Sequence, residues 1–370
     1  MSSLRTKFIA GLLGALVISS GASAGLYGFD ESHPYTVEEQ ILNMEVPPKT
    51  ILNYRDKMRD NVISLSEYAK SRRPDFQIIA HEGQDLLNKS LWEYHLEGYN
   101  QARLKGVDTS DPSFLLNLKQ QSPEFEPVIG GRAARYLHSL DGIAVNNHYC
   151  QDTPVSPTVE ENGLPLISID YCPTGADFDN AVIDSVKEKS RLYAFIKPDQ
   201  SFRKIRKQPI IAENADNVFT VKEARNISFL LNDKIYTDKN ALIGAVRDSN
   251  YDIVVIEPYF HQTEPYTIEE INSLKYKKNG AKRLIIARFS VSEAKDNAFY
   301  WKPDWKIGHP GWLKRASFVE PNAAIAEYWN RSWLDINSRF FKGIVDTGFD
   351  GAFLTGIENH RYFEKLTPLE

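Results

Sequence analysis

Cysteine is scarce: Cys150 and Cys172 are the only two among 370 residues. No Cys-x-x-Cys and no His-Glu-x-x-His occurs, which removes the common zinc signatures. The eight histidines are scattered. His81 and His148 are the conceivable ligands, against the commoner role of hydrogen-bonded structural histidine. No Gly-x-Ser-x-Gly elbow, Gly-x-Gly-x-x-Gly turn or phosphate loop is present, so neither a metal nor a cofactor is expected. Strong charge of one sign is also missing. A formal net charge of −5 leaves no electrostatic footprint for nucleic acid, and the short basic cluster Arg203, Lys204, Arg206, Lys207 fits a solvated loop. Long apolar runs are absent as well. The run from Phe8 to Ile18 falls far short of the ~20 residues a spanning helix needs. With Arg5 and Lys7 before it and Ala22-Ser23-Ala24 after it, it has the form of an export signal over residues 1–24, with an uncleaved anchor as the alternative. No membrane span is expected in the mature chain.

What remains exceeds the ~250 residues typical of a (β/α)8 barrel and suits one such domain with insertions over residues 25–370. Two domains are the alternative that length allows. Short, near-continuous apolar runs predict strands at Phe76–Ala80, Leu140–Val145, Leu164–Ile169, Ile227–Leu231, Ile253–Ile256, Leu284–Phe289, Ala323–Tyr328 and Gly351–Leu354. A parallel sheet covered by helices requires such runs. Helical patterns lie between them. Met58, Val62, Leu65 and Tyr68 recur at helical spacing. Thr267-x-x-Glu270 is a capping box, Ser332-x-x-Asp335 opens a further helix, and Gly348 stops it. Alternation of eight strands with helices points to a (β/α)8 TIM barrel, with an open doubly wound sheet as runner-up. Two stretches break the pattern, near 91–132 and 197–223, and are expected as loops over a barrel face.

Barrel chemistry sits where strands end. Those positions carry His81 and Glu82; Asn146 and Asn147; Asp170; Glu257 and Tyr259; Glu293; Tyr328 and Trp329; Thr355 and Glu358. Tyr300 and Trp301 follow close behind. Aromatic faces stack on sugar rings, amides and carboxylates bind hydroxyls, and a carboxylate pair performs acid/base or nucleophilic work. For any one residue, solvated strand-end polarity is the blander explanation, and only the collective pattern favours a site. Cys150 and Cys172 follow two consecutive strands at similar offsets, so a rim disulfide is expected, with two buried thiols as the alternative.

Several motifs occur in order: Ala224–Asn232, Tyr251–Tyr259, Leu284–Ala294, Phe299-Tyr-Trp301, Pro310-Gly-Trp-Leu313, Tyr328-Trp329 and Gly348–Leu354. Together they resemble the family-114 glycoside hydrolases, the endo-α-1,4-polygalactosaminidase-like barrels. Val62–Lys70, Phe76–Gly83 and Tyr136–Ile143 resemble the segment that ordinarily ends that barrel, but here they come first. The resemblance therefore implies a circular permutation in which the last three strands precede the first five.

The same resemblance implies cleavage of an α-1,4-linked galactosamine-type polysaccharide without a cofactor. Acids of the family pattern are exchanged at several points. Glu257 stands for Asp, Lys295 for Glu, Asn330 for Asp, Thr355 and Glu358 for two Asp, and Asn146-Asn147 for a Glu and its polar neighbour. An amide cannot protonate a leaving group. Two functions follow. One is an exported glycoside hydrolase with Glu358 and Glu293 as catalytic acids. Glu257, Asp170, Glu82, Asn147, Tyr259, Tyr300, Trp301, Tyr328 and Trp329 would then hold the polysaccharide. The other is a pseudoenzyme that binds carbohydrate without cleaving it.

Overall fold

A computed structural model describes residues 50–121, 131–196, 202–206 and 209–369. The expected export signal lies outside the described residues. Eight parallel strands form the body of the molecule: β1 (Gln77–His81), β2 (Gly142–Asn146), β3 (Leu166–Tyr171), β4 (Arg191–Phe195), β5 (Ile227–Leu230), β6 (Ile253–Ile256), β9 (Leu284–Ser290) and β13 (Gly351–Thr355). They run around the sheet in the order β4-β3-β2-β1-β13-β9-β6-β5. First and last strands pair directly, Gln77 opposite Gly351 and Ala80 opposite Leu354. The sheet is thus a TIM-type barrel closed everywhere but at one seam, between β4 and β5.

Side chains bridge that seam. Arg191 donates to the carbonyls of Ala224 and Lys222 at 2.8 and 2.7 Å. Phe202 stacks on Tyr193 and meets Phe229 edge-on, and its carbonyl accepts from Leu231 and Asn232. Within the barrel, Ile79, Ile167, Ile169, Tyr193, Phe229 and Phe353 belong to one buried cluster. The apolar continuity of these strands reflects burial on both faces.

The helical layer begins with α1 (Tyr54–Arg72), which packs beside the helix preceding β13 and the one preceding β2. It occupies the place of the helix that would follow a last strand, so the described chain starts on a helix and its last barrel strand is β13. The helix before β13, α9 (Arg331–Thr347), is capped by Asn330, whose side chain accepts from the Ser332 amide at 3.0 Å. The expected start at Ser332 therefore moves back by one residue. Gly348 ends the helix at φ 94°, as expected. The Thr267–Glu270 box is formed in both directions, at 2.8 and 3.1 Å.

Four expectations need correction. The division of the barrel is not three strands before five but four before four, β1 to β4 preceding β5, β6, β9 and β13. Arg191–Phe195, not predicted, is a barrel strand; its leading Arg and central Tyr hid a run buried along its whole length. The Ala323 run is β12 (Ala323–Ala326), which pairs antiparallel with β10 (Glu293–Lys295) and β11 (Leu313–Ala316) in a flap outside the barrel. The stretch near 91–132 is no plain loop. It carries helices α2 (Leu91–Leu104) and α3 (Pro112–Gln120), held to α1 by the buried pair Arg59–Glu93 at 2.5 Å.

The described part of the other stretch closes the N-terminal mouth of the barrel. Val218, Val221 and Ala224 join the interior cluster, and the Val221 amide donates to Gln77. Beneath it, Lys277 and Asp252 form a fully buried ion pair. That end of the barrel supports stability and is remote from the strand ends where chemistry is expected. No helix among the described residues is long and apolar enough to cross a membrane.

Candidate active site

The last strand positions the central acid. β13 ends at Thr355. Gly356 then turns the chain at φ 75°, and residues Ile357–Asn359 form one turn of 3₁₀ helix. The turn sits tight on the neighbouring strand end: a Cβ at Gly356 would meet Ser292 Oγ at 2.6 Å. Glycine alone accepts both the conformation and the approach. The turn carries Glu358 into the interior, and Asn359 donates to Ser292 Oγ at 2.8 Å and Glu293 Oε1 at 3.3 Å. β1 ends in the same manner, through Glu82 and Gly83 at φ 61° and 73°.

Glu358 is buried and its Oε2 has no partner among the described residues. Burial, then repulsion from Glu293 and Glu82, pushes its carboxyl up to about 8. It thus keeps its proton at neutral pH. Glu293 is also raised, by burial first, while Ser317 Oγ donates to it at 2.6 Å and tempers the shift. Glu82 is raised by burial, against the Asn146 amide that donates to it at 3.0 Å. Two further buried atoms at neighbouring strand ends lack partners among the described residues: Asn146 Nδ2 and Thr355 Oγ1. Orphaned polar atoms in a native interior cost free energy unless something binds them. Here they gather on one arc of the barrel mouth, over β2, β1 and β13.

Glu358 also has a consequence for stability. The unfolded chain ionises this group near 4.5, whereas the folded chain holds the proton until about 8. Its contribution to folding is therefore fully present below 4.5 and is lost as pH rises toward 8. Urea midpoints measured from pH 4.5 to 8.5 should fall for the wild type and fall less for Glu358→Gln.

A second arc carries charge compensation. Arg288, within β9, donates to Glu257 Oε1 at 2.9 Å and also pairs with Glu320. Lys295 reaches the same Glu257 oxygen at 3.1 Å and Glu320 at 3.5 Å. Burial alone would raise Glu320, but Arg288 and Lys295 pull it down to about 2. Glu257, Arg288 and Lys295 of this quartet line a small cleft together with Glu293, Tyr259, Phe299, Tyr300 and Phe340. Tyr259 and Phe299 stack at 5.1 Å, and Phe299 is 53% exposed. Arg288 was legible as a cation in the middle of an apolar strand, since a buried Arg demands acids nearby. Glu320 and Ser317 gave no such signal.

Other sequence candidates are committed elsewhere. Asp170 is fully buried. It accepts from the Tyr149 and Cys150 amides at 2.8 Å each and from Ser168 Oγ, so it clamps a loop and has no free face for substrate. Asn147 sits at φ 57° and ties that loop to the Tyr171 amide at 2.9 Å. Tyr328 has 0% exposure and donates to the Tyr54 carbonyl at 2.8 Å; its ring is packing, not a sugar platform. Trp329 packs on Phe363 and Tyr54. Trp301 meets Trp305 edge-on and is not among the residues lining the cleft. His81 stacks on Phe353 and shares a hydrogen bond of 3.1 Å with Asn146. Burial holds it down to about 4, hence neutral. No cluster of three or more metal-ligating side chains occurs among the described residues.

Cys150 and Cys172 are joined in the expected disulfide, across 22 residues, and the Asp170 clamp braces the same loop. Loop-closure entropy puts the bridge at ~3 kcal/mol. A Cys150→Ala/Cys172→Ala variant should lose about that much in urea unfolding, and dithiothreitol should then have no further effect on it.

No protein-family model matches the chain. It is similar to an uncharacterised protein of Methanocaldococcus jannaschii, 31% identical over 153 residues, a stretch covering 40% of this chain and 42% of that protein. It is also similar to an uncharacterised protein of Thermotoga maritima, 28% identical over 131 residues, with 35% and 39% covered. The chain spans about two-fifths of the length of each of these relatives. Neither brings an activity with it.

Proposed function

We propose that the chain is an exported glycoside hydrolase acting on an amino-sugar polysaccharide of the α-1,4-galactosamine type. One observation carries the reading. The last barrel strand delivers a protonated carboxyl, Glu358, with an unpartnered oxygen, and the neighbouring strand delivers Glu293, which acts on it electrostatically. A general acid must hold its proton at working pH and have an oxygen free for the leaving group. Glu358 meets both demands. Glu293, steadied by Ser317 and Asn359, is the partner that would serve as base or nucleophile. Glu82 raises the electrostatic cost of ionising Glu358, and Tyr259 and Phe299 supply ring surface for a sugar.

The in-order motifs resembling family-114 hydrolases support this assignment. The disulfide and the N-terminal apolar run both suit export.

A second reading, carbohydrate binding without cleavage, is favoured by a specific observation. Asp170 and Glu257 stand where the strand ends would supply further acids; protein partners take both oxygens of Asp170 and Oε1 of Glu257. The rate of reducing-end release against pH separates the readings. Hydrolysis through Glu358 should decline as pH rises through about 8, because only the protonated form donates. Binding without any release across that range would sink the hydrolase and leave the second reading.

A further inference from the structure

Resting on that functional reading, we propose that Ser317, carried by the flap, is a positioning residue for Glu293: it holds that side chain as a carboxylate and leaves Oε2 as the oxygen that acts on the sugar. Hydrogen-bond directions carry the inference. A serine hydroxyl has one proton to give and two lone pairs with which to accept. Both lone pairs of Ser317 Oγ are engaged, by the Val319 amide at 3.2 Å and the Glu320 amide at 2.9 Å. The proton is therefore committed to Glu293 Oε1, at 2.6 Å. That separation is typical of a hydroxyl donating to an ionised acceptor. The reverse arrangement, a protonated Glu293 donating to Ser317, finds no lone pair to receive it. Asn359 Nδ2, which can only donate, reaches the same Oε1 at 3.3 Å.

Both donors fall on Oε1, and among the described residues no hydrogen bond or ion pair falls on Oε2. Glu293 lines the cleft with Tyr259 and Phe299, so the unspent oxygen belongs to a side chain that a sugar in the cleft would touch. Ser317 is held firmly enough to do this. Its amide donates to the Ala323 carbonyl at 2.8 Å, and three residues on, Glu320 pairs with Arg288 of the barrel wall. The turn 317–320 thus fastens the flap to the barrel while aiming one hydroxyl at Glu293. Burial raises Glu293, and Ser317 is the strongest influence opposing it. Glu358 receives no side-chain hydrogen bond among the described residues. One carboxyl with donors and one without are thereby set apart as base and acid.

Carbon-13 NMR titration of the Glu293 carboxyl in the full chain, with its signal assigned by Glu293→Gln, tests this. In Ser317→Ala the midpoint should rise by about one pH unit or more. In Ser317→Thr, which keeps the hydroxyl, it should stay near the wild-type value. The acid limb of kcat/KM for reducing-end release should move with it. Below that limb Ser317→Ala should be roughly ten-fold slower than wild type, and above it the two rates should converge. A role in folding alone would lower the rate at every pH and leave the limb in place, which overturns the inference. An unmoved Glu293 midpoint in Ser317→Ala overturns it too, whether or not the protein cuts. A midpoint that rises as expected in a protein releasing no reducing ends upholds the hold of Ser317 on Glu293 and overturns the hydrolase reading instead. Should Ser317→Ala not fold, Ser317→Cys, close in shape but a poor donor, carries the same expectations.

Discussion

Glu358→Gln should abolish most reducing-end release, lowering kcat roughly 10²–10⁴-fold, while polymer binding measured by calorimetry stays within a few-fold of wild type. The amide keeps the shape of the side chain and can still donate a hydrogen bond, but it has no proton to give to a leaving glycosidic oxygen. Removing a buried group with an unpartnered Oε2 also relieves electrostatic repulsion from Glu293 and Glu82. The variant should therefore be at least as stable as wild type at pH 8, which distinguishes lost chemistry from lost fold. Unchanged release in a folded Glu358→Gln protein would remove Glu358 from the mechanism.

Asp252→Asn should lower unfolding free energy by about 3–5 kcal/mol, the range for breaking a buried pair. Both partners have no exposed side-chain surface and lie 2.5 Å apart. Lys277 also donates to the carbonyls of Asn214 and Asp216, and Asp252 accepts from the Arg225 amide at 2.7 Å. The pair thus pins the segment that closes the N-terminal mouth of the barrel. Without the carboxylate, Lys277 is a buried cation lacking its counter-charge. Urea unfolding should show a lower midpoint with little change in slope. Asp252→Leu/Lys277→Met, which removes both charges, should recover part of the loss. A midpoint unchanged in Asp252→Asn would mean the pair contributes nothing.

Much of the architecture was legible because burial on both faces leaves a plain mark. Ile253–Ile256 and Leu284–Phe289 could be nothing polar, and the structure puts both in the sheet. Arg191–Phe195 escaped because its end residue is an arginine whose carbonyl partners, on Ala224 and Lys222, are distant in sequence. The Ala323 run was apolar enough for a barrel strand, but apolarity does not say which sheet a strand joins. The site divides along the same line. Strand-end position located Glu358, Glu293, Glu82 and Glu257, since register alone brings them to the mouth. It misjudged Asp170 and Tyr328, whose roles depend on the Cys150 and Tyr54 backbones that happen to face them. It also over-weighted Asn330. That amide caps α9, a task Asn and Asp perform about equally, so an Asp-to-Asn exchange there carries no message about catalysis.

The central claim is that the arc of Glu82, Glu293 and Glu358 cleaves a glycosidic bond. The measurement that tests it most directly is mass analysis of products after purified protein meets galactosamine oligomers of defined length, acetylated and de-N-acetylated. Wild type should give shorter oligomers, with one new reducing end and one water taken up per bond cleaved, and Glu358→Gln almost none. Intact oligomers after long incubation, with binding still detectable, would contradict it and leave a barrel that holds polysaccharide without cutting it.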